Sequence, residues 1–168
     1  MFLMRHLVGR QMPNIDLEAT SGSPVNPAKM AGPAVIFCYP YTGRPGHPDP
    51  VNWDHIPGAH GSTPQALGYS MAYGSFRRLG VKLFGLSLLD REWQRDFVAR
   101  NSLTFRLLSD QARTFSGRLG LPLFETGGEV YLQRLTFIIH DGIITALRYP
   151  VPEPEKDAAE VLAILQSK

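Results

Sequence analysis

Cysteine is almost missing from this chain: Cys38 is the only one in 168 residues. An internal disulfide is therefore excluded, and a lone thiol fits a reducing compartment. Long apolar runs are also lacking. The opening MFLM is interrupted at once by Arg5 and His6, too early for the apolar core of a secretory leader. No later stretch reaches the length of a membrane span, so the expectation is a cytoplasmic protein with no membrane partner. Charge of one sign is scarce as well, with 17 Lys and Arg against 15 Asp and Glu and a net charge of +2. No basic run is long enough to track phosphates, which argues against nucleic acid. Internal repeats and domain-splitting linkers are absent, and residues 1–168 are expected to form a single domain.

What is present suits a folded core. Hydrophobic residues make up 43% of the chain and aromatics 10%, which argues against extensive disorder. A chain of this length buries about 70% of the surface it exposes when unfolded. Three short apolar runs, AVIFCY (34–39), VKLFGLS (81–87) and LTFIIH (135–140), are bounded by Gly, Pro or Asp, as strands covered on both faces would be. Asp141-Gly142 and the run IITALRY (143–149) after the third predict a hairpin with a two-residue turn. FRLL (105–108) is a further short strand.

Helices are expected between these runs. One starts near Ser62, weakened by Gly68 and Gly74. A second is capped by Asp90 and carries Trp93 and Phe97 on one face. A third is capped by Ser109 or Asp110, with Phe115 and Leu119 buried. The last follows VPEPE and carries Val161, Leu162 and Leu165. Strands alternating with helices imply a largely parallel sheet to which the hairpin adds antiparallel strands, the plan of an α/β thioredoxin-like fold.

The stretch IPGAHGSTPQAL (56–67) carries the chemistry. Ser62 and Gln65 have the spacing of a capping box, and Pro64 suits a first helical turn. A helix N-terminus also offers amides and positive potential to an anion.

Several segments in order, VIFCYP with TGRPG, PGAHGSTPQAL, RLGVKLFGLS, FRLLSD and YLQRLTFIIHDGII, resemble the AhpC/TSA peroxiredoxins, in particular their bacterioferritin-comigratory-protein branch. The likeness runs from about Met12 onward. It implies a peroxiredoxin-type thioredoxin fold and, as parent activity, thiol-dependent hydroperoxide reduction with no cofactor and no metal. The residue that this family places before TPQ is its peroxidatic cysteine, and the fifth beyond is often the resolving cysteine. Here Ser62 and Leu67 hold those positions. Ser70 and Met71 stand where relatives commonly carry Arg and Asp, which favours natural divergence over a single Cys-to-Ser replacement.

Pro40 matches the proline that opens the family's Pro-x-x-x-Thr-x-x-Cys motif, and Arg134 lies where relatives place the arginine that orients peroxide and cysteine. An inserted loop separates Pro40 from Ser62. Thr42 is the expected counterpart of the motif's threonine, although counting back from Ser62 falls on Ala59. The candidate site is thus Ser62, Arg134, Thr42 and Pro40, with a small peroxide-like or anionic ligand expected and a homodimer left open. The alternative is a non-enzymatic ligand-binding or interaction protein on the same scaffold.

The inserted loop HPDPVNWDHIPGAH raises rival chemistry. It places His47, His55 and His60 beside Asp49 and Asp54, but the spacing fits no standard zinc pattern. A Ser62–His60 hydrolase pair is disfavoured, since neighbours two apart seldom reach nucleophile–base geometry and no G-x-S-x-G elbow is present. Cys38 reads as a small buried residue between Phe37 and Tyr39 rather than as a displaced redox thiol. Trp53 is either a loop anchor or part of the pocket mouth.

Overall fold

The computed structural model describes residues 4–167. The first three residues of the MFLM stretch considered as a leader core lie outside them. In chain order the regular elements are β1 (Glu18–Ala19), β2 (Pro33–Cys38), α1 (Ser62–Arg78), β3 (Lys82–Ser87), α2 (Arg91–Asn101), β4 (Arg106–Ser109), α3 (Thr114–Leu119), β5 (Leu123–Thr126), β6 (Glu129–Leu132), β7 (Leu135–His140), β8 (Ile143–Arg148) and α4 (Asp157–Gln166).

Strand β2 sits inside the sheet, and its burial alternates between two cores. Val35 and Phe37 face a cluster completed by Tyr69, Phe76, Phe97 and Val161 from α1, α2 and α4. Ala34, Ile36 and Cys38 face the other, completed by Phe115 and Leu119 of α3 and by Leu7, Met12 and Leu17. A strand covered on both faces cannot alternate apolar with polar, which is why this run reads as continuously apolar. Six strands form one sheet in the order β1-β4-β3-β2-β7-β8. Strand β2 is parallel to β3, β3 is parallel to β4, and β7 is antiparallel to both β2 and β8. This is the expected thioredoxin-like α/β fold, with a mixed central sheet flanked by helices.

The β7–β8 turn is the one expected. Asp141 and Gly142 have φ of 49° and 78°, both in the left-handed region that a two-residue hairpin turn needs. Asp90 caps α2 by accepting from the Trp93 amide at 2.8 Å. Neither residue considered for α3 is its N-cap, a position held by Arg113 with φ 63°; Asp110, three residues earlier, instead reaches over with its two carboxylate oxygens to accept from the first-turn amides of Phe115 and Ser116 at 3.1 and 2.8 Å.

The capping box at α1 is overturned. Gly61, with φ 115°, occupies the N-cap position; Ser62 is the first helical residue, and no side chain caps the helix. A side chain on Gly61 would lie 2.8 Å from Cγ of Pro154, so both backbone conformation and space demand glycine there. Two elements escaped the sequence reading: the two-residue β1, and a separate β5–β6 hairpin turning at Gly127-Gly128.

Candidate functional site at the start of the first long helix

Sheet register brings the predicted residues to one edge. Cys38, the last residue of β2, pairs with Leu135, the first of β7. Arg134 therefore stands at the carboxyl end of β2, where Tyr39, Pro40, Tyr41 and Thr42 leave the sheet. The N-terminus of α1 ends at the same edge, the usual place for ligand sites in α/β sheets.

Arg134 is only 5% exposed. Its Nη1 donates to Ser62 Oγ at 3.1 Å and to Gln65 Oε1 at 2.6 Å. Nη2 faces three carbonyls, those of Gly58, Ala59 and His60, at 3.1, 3.3 and 3.1 Å. Nε has no hydrogen-bond partner. The guanidinium thus fastens the glycine-rich stretch to the helix start. Burial pulls its pKa down to about 10, against the opposing pull of Asp157.

Gln65 takes part in this network instead of reaching back over the helix. Its Nε2 donates to Asp157 Oδ2 at 3.1 Å. An acceptor-only carboxylate fixes which end of the amide faces it, so the oxygen is left for Arg134. The Asp157 carboxylate is fully buried and also accepts from Tyr69 Oη at 2.6 Å, Thr136 Oγ1 at 2.7 Å and Arg148 Nε at 2.9 Å. The sequence reading missed Asp157 altogether.

Ser62 and Thr42 line one cleft of about 470 Å³, together with Tyr41, Trp53, Ala59 and Gly61. Thr42 is 2% exposed and its Oγ1 has no hydrogen-bond partner. Its carbonyl accepts from the Trp93 indole at 2.6 Å, which fixes the residue in place. Ala59 also lines the cleft but brings only a methyl, so Thr42 supplies the hydroxyl. Pro40 is buried and is not part of the lining. Leu67 is exposed on α1, one turn and more beyond Ser62.

Of the remaining candidates Asp49, Trp53 and His60 also line this cleft, while the others do not. Cys38 is 1% exposed, and burial, reinforced by Asp110, pushes its thiol pKa far up. His60 Nε2 pairs with Asp54 Oδ1 at 2.7 Å on the surface. His47 packs edge-on against Trp93 at 5.2 Å. Among the described residues no three His, Cys, Asp or Glu side chains converge as a metal site would require. Trp53 is 5% exposed and anchors the inserted loop against Tyr131 and Phe124 while also lining the cleft.

The sheet order and flanking helices are those of a peroxiredoxin-type thioredoxin fold, with Arg134 buried beside the start of its first long helix. Residues 7–162 match the redoxin family, and the chain belongs to that family. It is 29% identical over 164 residues to peroxiredoxin Q, chloroplastic, of Oryza sativa subsp. japonica, covering 95% of this chain and 66% of that one. The chain thus spans just under two thirds of that relative's length. Among solved structures it resembles peroxidoxin BcpB of Mycobacterium tuberculosis, with a TM-score of 0.75, 21% identity and coverage of 95% of this chain and 96% of that one. A cysteine-to-serine mutant of PrxQ from Xylella fastidiosa gives a TM-score of 0.76 at 19% identity, over 95% of each chain. The bacterioferritin comigratory protein of Xanthomonas campestris, a structure concerned with alkyl peroxide reduction, gives 0.73 at 21% identity over 94% of this chain and 96% of that one. Together these place the chain with the AhpC/TSA peroxiredoxins of the bacterioferritin-comigratory-protein type.

Proposed function

We propose that this chain is a peroxiredoxin-type protein that keeps the peroxide pocket without its thiol. In this proposal Ser62 stands at the peroxidatic cysteine position and Leu67 at the resolving one. The observation that carries it is the Ser62 hydroxyl, 4% exposed in the first turn of α1, accepting from the buried Arg134. A thiolate attacks the peroxide oxygen and becomes a sulfenic acid. A serine hydroxyl stays protonated near neutral pH, and its oxygen cannot be carried through that cycle. Cys38 offers no substitute, because it is buried and held protonated.

What the pocket retains is donation. The hydroxyls of Thr42, Ser62 and Thr63 and the first-turn amides of α1, with the Arg134 charge behind Ser62 and the Asp49 carboxylate at the cleft wall, suit a small polar oxygen compound or an anion held away from Asp49. The function supported is binding of such a ligand, with peroxide reduction as the parent activity.

The test is thiol-dependent consumption of hydroperoxide. The natural chain is expected to show none and Ser62→Cys to gain it. Consumption by the natural chain that survives Ser62→Ala would overturn the proposal. Failure of Ser62→Cys to gain activity would mean that the surroundings of Ser62 no longer form a peroxide site.

A further inference from the structure

We infer that a second cleft, which shares Tyr41 with the Ser62 cleft, binds a small organic cation of the methylated-ammonium class. It is a space of about 340 Å³ between the N-terminus of α2 and strand β6, lined by Tyr41, Trp93, Tyr131, Asp90 and Glu129 among others. It adjoins the Ser62 cleft through Tyr41 and through the Trp93–Thr42 bond, but its lining contains neither Ser62 nor Arg134.

The walls are aromatic and set at an angle to one another. Tyr41 meets Tyr131 at 6.1 Å between centroids and 88° between planes, and meets Trp93 at 5.8 Å and 40°. Three aromatic rings line one small space at differing angles, and an aromatic π-face attracts a cation while its carbon surface accepts methyl groups; Trp93 already attracts one cation, Arg44, in this way. Each wall is fixed by the scaffold. Trp93 is held by its indole bond to the Thr42 carbonyl. Tyr131, 9% exposed, is packed by Trp53 at 5.3 Å and Phe124 at 5.5 Å.

The charge of the lining has one sign. Asp90 and Glu129 are its only charged members, and no Lys, Arg or His lines it. Asp90 uses Oδ1 to cap α2, whereas the Glu129 carboxylate forms no ion pair among the described residues. Burial, helped by Glu129, pushes the Tyr131 phenol up, and burial, helped by Asp49, does the same for Tyr41. Both phenols thus stay neutral, and the carboxylates leave the cleft negative. A cationic side chain close by, Arg44, lies over the Trp93 ring at 5.1 Å, with Asp96 at 3.5 Å to meet its charge.

This chemistry selects among ligands. An anion is repelled by the carboxylates, and a hard metal ion needs more oxygen ligands than two separated carboxylates supply. A methylated ammonium is weakly hydrated, matches the rings with its methyls and the carboxylates with its charge.

The experiment titrates the full chain with tetramethylammonium and with choline, against sodium chloride at equal ionic strength, following the Trp93 indole N–H by NMR. Saturable shifts are expected with both. The neutral carbon isostere of choline, 3,3-dimethylbutan-1-ol, should bind at least about tenfold more weakly. Glu129→Gln, at an exposed position, should weaken tetramethylammonium several-fold with the fold unchanged, and Trp93→Leu, followed by calorimetry, should abolish binding. No saturable shift, equal binding of the neutral isostere, or undiminished binding in a folded Trp93→Leu variant would each overturn the inference. None of these outcomes depends on Ser62 or on peroxide.

Discussion

Arg134 and Ser62, 72 residues apart in sequence, are joined by a 3.1 Å hydrogen bond in which the serine hydroxyl serves a buried cation and does not cap its own helix. Removing that acceptor by Ser62→Ala leaves the same nitrogen bonded to Gln65, so a loss of about 1 to 2 kcal/mol is expected. Gly61→Ala should cost more, because it forces a side chain into the left-handed region and against Pro154. Denaturant unfolding of the two variants checks the order. A larger loss for Ser62→Ala would restore the hydroxyl to a capping role.

The same setting should act on a thiol. In Ser62→Cys the helix start and the Arg134 charge favour the thiolate, so the new cysteine should titrate below the free value of about 8.5. Thiolate absorbance as a function of pH measures this. An unshifted thiol would show that Arg134 is spent on its carbonyl partners.

Cys38 should behave in the opposite way. Its folded-state pKa is raised, so the native thiol stays protonated through mildly alkaline pH while an unfolded one ionises. The favourable contribution of the buried neutral thiol is complete below the unfolded pKa and declines as pH climbs above it. A thiol reagent should label Cys38 slowly in native protein and rapidly after denaturation. Fast native labelling near neutral pH would contradict the burial.

Asp157→Asn keeps the shape of the buried hub but removes the charge that faces Arg148 and lets the new amide donate. A loss of about 2 to 4 kcal/mol is expected. In the Ser62→Cys background it should also lower the thiol pKa, since a buried negative charge behind Gln65 and Arg134 is lost. Tyr69→Phe, which removes another bond to Asp157 and leaves Gln65 in place, should destabilise without moving that pKa.

Zinc added to the purified protein should leave its melting temperature unchanged, because His60 is committed to Asp54 and His47 to Trp93. A rise that disappears in His55→Ala with His60→Ala would reveal a metal site in the inserted loop.

How much of this was legible in the sequence follows from where each partner lies. The runs that form β2, β3 and β7 announce themselves because burial on both faces leaves few polar positions, most of them at strand ends, and Asp141-Gly142 can turn a hairpin by itself. Asp90 caps a helix three residues away, so its chemistry is local and readable. Ser62 and Gln65 carry the local signature of a capping box. What redirects them is an arginine about 70 residues downstream and a glycine whose conformation leaves no trace in its letter. Asp157 looks like any acid near the start of an exposed helix until the fold brings Gln65, Tyr69, Thr136 and Arg148 to it. The β5–β6 hairpin pairs only with itself; β5 alternates between exposed and half-buried positions, whereas β6 ends in two successive buried residues, Tyr131 and Leu132, so the two four-residue strands share no period. Arg134 and Thr42 emerged through family likeness, since no spacing links residues so far apart.

The contact of Pro154 with Gly61, and of Asp157 with Gln65, has a meaning for a chain made one residue at a time. A nascent polypeptide that has emerged as far as β8 already holds Ser62, Thr42 and Arg134, yet Gln65 lacks the Asp157 carboxylate that accepts from its amide nitrogen and Pro154 does not yet lie against the bend at Gly61. The pocket is therefore assembled last, by a segment that contributes no atom to its lining. During synthesis the residues of the six-stranded sheet are all present before the segment that braces the helix start is made.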